Sequence, residues 1–144
     1  MTEIPPRAIY AIALAVLVLC GMAYFKSSST SRVRCIDTAT AKPALDDAAS
    51  KLDDAVRAAK NGDITTAAAD MRDAAASLRT AATASSADPA VSKPLVVAAD
   101  GYDRVATAYA NRDESTATLY ASTAIAFVNT STAALRRTSV PRCR

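Results

Sequence analysis

The sequence predicts an all-α protein with one N-terminal transmembrane helix followed by an antiparallel, up-down-up-down four-helix bundle. Three observations predict it. An uncharged apolar run extends from Ala8 to Phe25, flanked by Arg7 and Lys26. The chain as a whole is alanine-rich, with 3 Gly, no Trp and 5% aromatic residues. Beyond the apolar run and stalk, apolar positions recur three and four apart, the period of a helix with one buried face. Turn chemistry interrupts that period three times, leaving four helical segments.

After a short tail (1–7), the run over 8–25 reads AIYAIALAVLVLCGMAYF. About 18 apolar residues reach roughly 27 Å as a helix, enough for the hydrocarbon core. Tyr10, Tyr24 and Phe25 sit where interfacial aromatics belong. The run reads as a retained, single-pass signal anchor. Small residues Gly21 and Ala23 also permit signal cleavage after Ala23 and a secreted form. A lipid-anchored form through Cys20 is a weaker match, because bulky Leu19 precedes the cysteine and the apolar run continues past it. Ala8, Ala11 and Ala15 form a small-residue stripe of the kind that pairs spanning helices, so a homo-oligomer is allowed. Residues 26–40 open on Lys26 and a Ser/Thr run and read as a flexible stalk.

The domain proper is expected over 41–144. Its first helix is expected from about Pro43, a residue suited to a first helical turn, to Lys60. Leu45, Ala48/Ala49, Leu52, Ala55/Val56 and Ala59 would share one face, with Asp47–Lys51 and Asp53–Arg57 as i,i+4 pairs on the other. Asn61-Gly62 stops it and Asp63 can cap the next. The second helix, about Ile64 to Ser85, carries a three-four stripe from Ile64 through Ala67/Ala68, Met71, Ala74/Ala75 and Leu78 to Ala81/Ala82. Ser85 to Pro89 breaks the chain. The third is expected from Lys93 or Pro94 to Ala110, with Leu95, Ala98/Ala99, Tyr102, Val105/Ala106 and Tyr109 inward. Asp113 caps the fourth, Glu114 to Arg137, whose threonines lower its propensity and whose apolar residues include Leu119, Ala126, Val128 and Leu135.

The chain echoes itself at an offset of 50. Leu45 aligns with Leu95, Ala48-Ala49 with Ala98-Ala99, and Asp53 with Asp103. The turn Asn-x-Asp-x-(Ser/Thr)-Thr-Ala recurs at Asn61 and Asn111. Two αα-hairpins with the same cap chemistry are expected, and an internal duplication would produce them. An up-down-up-down bundle puts the start of its first helix and the end of its fourth at one end. There lie two of the 3 cysteines, Cys35 and Cys143, which are expected to form a structural disulfide of the kind exported domains use.

The chemistry is defined by what is missing. With no histidine, histidine-dependent triads, most zinc sites and histidine-ligated haem are excluded. There is no CxxC pair and no Gly-rich phosphate loop. Asp46, Asp47, Asp53, Asp54, Asp70 and Asp73 read as a solvated face rather than a metal site. No catalytic residue, cofactor or metal is expected. A net charge of +3 with 22% charged residues gives no polyanion signature, so no nucleic-acid partner is expected. Tyr102, Tyr109 and Tyr120 could line a small pocket or partner groove, although bulk in an alanine-rich core accounts for them better.

The bundle would gather Lys26, Arg32, Arg34, Arg136, Arg137, Arg142 and Arg144 into a basic collar for head groups or a partner. Lys26, Arg32 and Arg34 against Arg7 favour a cytoplasmic domain by the positive-inside bias; the disulfide favours the opposite side. The expectation is a cell-membrane protein with an extracytoplasmic domain. Its function would be that of a non-catalytic interaction or accessory module at the envelope, docking to membrane lipid or to an unidentified protein. A small-ligand-binding or sensing bundle is the alternative.

Overall fold

The computed structural model describes residues 34–143, and the apolar run 8–25 with most of the stalk lies outside them. The described chain forms four helices: α1 Thr38–Lys60, α2 Ile64–Ala84, α3 Pro89–Ala110 and α4 Glu114–Arg137. None of them is long and apolar enough to cross a membrane. Each helix packs on its sequence neighbour, α1 on α2, α2 on α3 and α3 on α4, as a four-helix bundle with short turns requires.

Every helix starts on an aspartate. Asp37, Asp63 and Asp113 accept the backbone N–H of Thr40, Thr66 and Thr116, three residues on, and Asp88 accepts that of Ala90. These bonds satisfy donors that a helix N-terminus leaves without an intrahelical partner. The capping threonine's hydroxyl and amide hold Asp37, Asp63 and Asp113 below the usual carboxylate range.

Helices α2 and α4 occupy the expected spans to within one residue, whereas α1 and α3 begin early. Asp37 and Asp88 are the caps, so Pro43 and Pro94 lie inside their helices rather than in first turns. Residues 34–40, expected in the stalk, are therefore part of the fold, and Ile36 is fully buried.

The two hairpins match in detail. The N–H of Asn61 bonds to the carbonyl of Arg57, that of Gly62 to Ala59 and that of Asp63 to Ala58; Asn111, Arg112 and Asp113 repeat this onto Thr107, Tyr109 and Ala108. The middle residue takes a positive φ in both, 78° at Gly62 and 57° at Arg112. Glycine enters that region freely and arginine does not. Burial repeats too: Ala48 matches Ala98, Ala55 matches Val105, Ala67 matches Ala117 and Ala74 matches Ala124, all buried.

Packing differs between the inner and outer helices. α2 and α3 bury broad stripes containing Leu78, Leu95 and Val105, each side chain contributing about 1.5–3 kcal/mol by leaving water. α1 buries only Ala41, Ala48 and Ala55, and α4 only Ala117, Ala124 and Ser131, both at a spacing of seven. The reason is neighbour number: inner helices pack against two others and outer ones against one. No Cα of α1 lies within 8 Å of a Cα of α4. The seam that would close the ring of four helices is open. Leu45, Leu52, Val128 and Leu135 along it are only half-buried. Val56, expected on the inward face of α1, is 46% exposed, and Leu119 of α4 is 47% exposed, because a helix with one neighbour has room to bury only its alanine stripe.

Small side chains let the helices approach closely. A Cβ built on Gly101 would sit 3.0 Å from the Cβ of Ala124. The expected ion pairs are redistributed. Lys42 meets Asp46 at 3.0 Å and Arg57 meets Asp54 at 3.5 Å, while Asp47 accepts a hydrogen bond from Ser77. Arg79 of α2 bridges Asp100 and Asp103 of α3.

Candidate functional site

The open seam is fastened at one end. Cys35 and Cys143 are joined as a disulfide with their Cα atoms 5.2 Å apart, within the usual range for such a bond. Beside it, Ile36 and Arg142 form one parallel bridge: the Ile36 N–H donates to the Pro141 carbonyl, and the Cys143 N–H to the Ile36 carbonyl, both at 2.8 Å. The Asp37 N–H also reaches the carbonyl of Ala84 at the end of α2. Thr138, just after α4, donates to Asp88 at the start of α3. Ile36, between Cys35 and Asp37 in this clasp, has no exposed surface. Start and end of the domain thus meet as the bundle topology and the cysteine positions predicted.

Four of the seven collar residues fall among the described residues. Arg34 precedes one clasp cysteine, Arg142 precedes the other, and Arg136 and Arg137 close α4; all four are exposed. Arg136 and Arg142 line the same cavity as Thr38 and Lys42 at the start of α1. None of the four forms an ion pair within the described residues. Lys26, Arg32 and Arg144 lie outside them.

Above the clasp, the open seam is a groove of about 460 Å³. That falls in the range of roughly 300–1,000 Å³ typical of small-molecule sites. Leu45, Ala49 and Leu52 of α1 form one wall, Val128 and Leu135 of α4 the other, and Leu78 of α2 the floor. Its polar residues include Lys42, Asp46, Arg136 and Arg142 at the clasped end, and Thr132 on the α4 wall. Asp46 is already engaged by Lys42, so the Arg136 and Arg142 guanidiniums, in no ion pair among the described residues, set the local charge. The groove therefore joins an apolar trough to a cationic mouth.

The tyrosines are elsewhere. None of Tyr102, Tyr109 and Tyr120 lines this groove. Tyr102 is core bulk, 2% exposed, and burial pushes its phenol up to about 12. Tyr109 and Tyr120 pack partly buried against the same core, and Arg104 stacks over the Tyr120 ring at 5.5 Å, a cation–π distance. Among the described residues no group of three His, Cys, Asp or Glu side chains could hold a metal ion.

Sequence reasoning found the clasp and its arginines but missed the groove. The available signal was that large apolar residues flank the alanine stripes of α1 and α4 without lying in them. The chain matches no family model, no curated protein sequence and no solved structure.

Proposed function

We propose that this chain is a non-catalytic interaction module, held at the cell envelope by its apolar run 8–25 and displaying its bundle on the extracytoplasmic side. The observation that carries this reading is the clasp. One disulfide and one backbone bridge lie beside exposed arginines without an ion-pair partner among the described residues, at the end of the domain from which the chain leads back to the apolar run. Each such charge near an anionic surface contributes up to about 1 kcal/mol, so the collar is suited to head groups or an acidic partner. Disulfides persist in oxidising compartments, which supports export. The opposing count of Lys26, Arg32 and Arg34 carries less weight, since long domains translocate largely regardless of flanking charge.

The bundle itself is read as a duplicated αα-hairpin. Matching turn bonds, positive φ at Gly62 and Arg112 and matching buried positions at an offset of 50 support that reading.

The test is labelling with a membrane-impermeant maleimide on intact cells expressing the full chain. Cys35 and Cys143 are expected to react from outside, and only after reductant, in protein that stays with the membrane fraction. Labelling from the cytoplasmic side without reductant would overturn the reading. Recovery of a soluble form beginning after Ala23 would replace the anchor with a cleaved signal.

A further inference from the structure

We propose that the α1/α4 groove is a binding site for a fatty acid, its single acyl chain lying in the trough and its carboxylate at Arg136 and Arg142. The inference goes beyond the tethered-module reading and stands on the groove alone. Its apolar walls, Leu45 and Leu52 facing Val128 and Leu135, run up from the clasp, and the floor reaches Leu78, a residue 1% exposed. Filling such a trough with hydrocarbon removes apolar surface from water on both partners. Arg136 and Arg142 mark one end and have no carboxylate partner among the described residues. A guanidinium fork matches a carboxylate bidentately. Charge thus fixes the polarity of the ligand, head at the clasp and tail along the helices.

The same features disfavour the other occupants. A second copy seated on this face would bring unpaired arginines against one another. A partner helix, about 10–12 Å across, would bring a surface of many side chains, whereas the apolar lining is a single row on each wall with cations at one end only. A single acyl chain with one anionic head matches that lining.

The experiment uses the full chain in nanodiscs of zwitterionic phosphatidylcholine and a 16-carbon fatty acid with a diazirine on its chain. Cross-links are mapped by peptide mass spectrometry. The expected result is labelling of the segments 45–52 and 128–135, competed by unlabelled palmitate and about tenfold less by hexadecanol. Ala49→Phe places a ring in the groove from an exposed position and should abolish that labelling while helicity is unchanged. Arg136→Gln with Arg142→Gln should reduce it about tenfold. Labelling confined to residues 8–25, equal competition by the alcohol, or labelling indifferent to Ala49→Phe in a folded protein would each overturn the proposal. Equal groove labelling by a two-chain anionic phospholipid probe would overturn the single-chain assignment.

Discussion

Replacing Cys35 and Cys143 by serine should cost more stability than any other pair of substitutions on this surface. The bond joins residues 108 apart in sequence. In the chain-entropy treatment, closing a loop of that length lowers the unfolded state's entropy by about 16 cal/mol/K, or about 4.8 kcal/mol at 25 °C. A domain of this size unfolds with an entropy of about 2.1 cal/mol/K per residue, so the loss translates to a fall in Tm of roughly 20 °C. The two backbone bonds at Ile36 survive the substitution, but they exist only in the folded state and do not restrict the unfolded one. The assay is calorimetry of full-length protein in lipid nanodiscs, comparing wild type, the double variant and wild type under reductant. The reduced wild type should match the double variant. A fall of less than about 5 °C, with the wild-type bond verified by mass, would refute the argument that the clasp acts by restraining the unfolded chain.

Three further outcomes follow from particular contacts. Gly101→Ala should gain about 1 kcal/mol of helix propensity yet lose more by overpacking, about 1–3 kcal/mol, because the Ala124 Cβ at 3.0 Å is fixed to its helix and cannot rotate aside; Gly101→Val should be worse, and a net stabilisation by either in urea titration would contradict the close approach. Ser85→Ala should stabilise by about 1 kcal/mol, since the Ser85 hydroxyl is buried with no hydrogen-bond partner among the described residues and an unsatisfied buried group costs about 1–3 kcal/mol; a rise in the urea midpoint with an unchanged slope is the readout. Acid should unfold the domain partly through its caps. Asp37, Asp63 and Asp113 have folded-state pKa values below 3.8, so their contribution is complete above that value and is lost as pH falls through the lowered ones. The Asp63→Asn/Asp113→Asn variant, still capped but uncharged, should show a flatter Tm against pH below pH 4, and an identical slope would contradict the assignment.

Much of this structure was legible because its signals are local. Asn-x-Asp turns and i,i+3/i+4 apolar spacing located α2 and α4, and the up-down topology placed Cys35 beside Cys143. Pro43 and Pro94 misplaced two helix starts. Each is a plausible first-turn residue, but an aspartate six residues upstream offers a cap side chain and wins. Whether the ring of helices closes is not a local property. Leu45 and Leu52 match Leu95 and Tyr102 at an offset of 50; the latter are buried in α3 and the former half-buried in α1. Identical periodicity thus yields different burial according to how many neighbours a helix has. The groove and the Arg79 bridge to Asp100 and Asp103 are products of that arrangement, and no single-segment pattern encodes them.

Amide hydrogen exchange of the full-length protein, resolved by residue, tests the open seam most directly. Exchange reports the free energy of local opening, and helices with fewer buried contacts open more readily. Slowest exchange is expected in α2 and α3 and at the clasp amides of Ile36 and Cys143, with faster exchange in α1 and α4 beside Leu45, Leu52 and Val128. Protection in α1 and α4 equal to that of the inner helices along their whole length would mean that the seam is closed, and with it the groove.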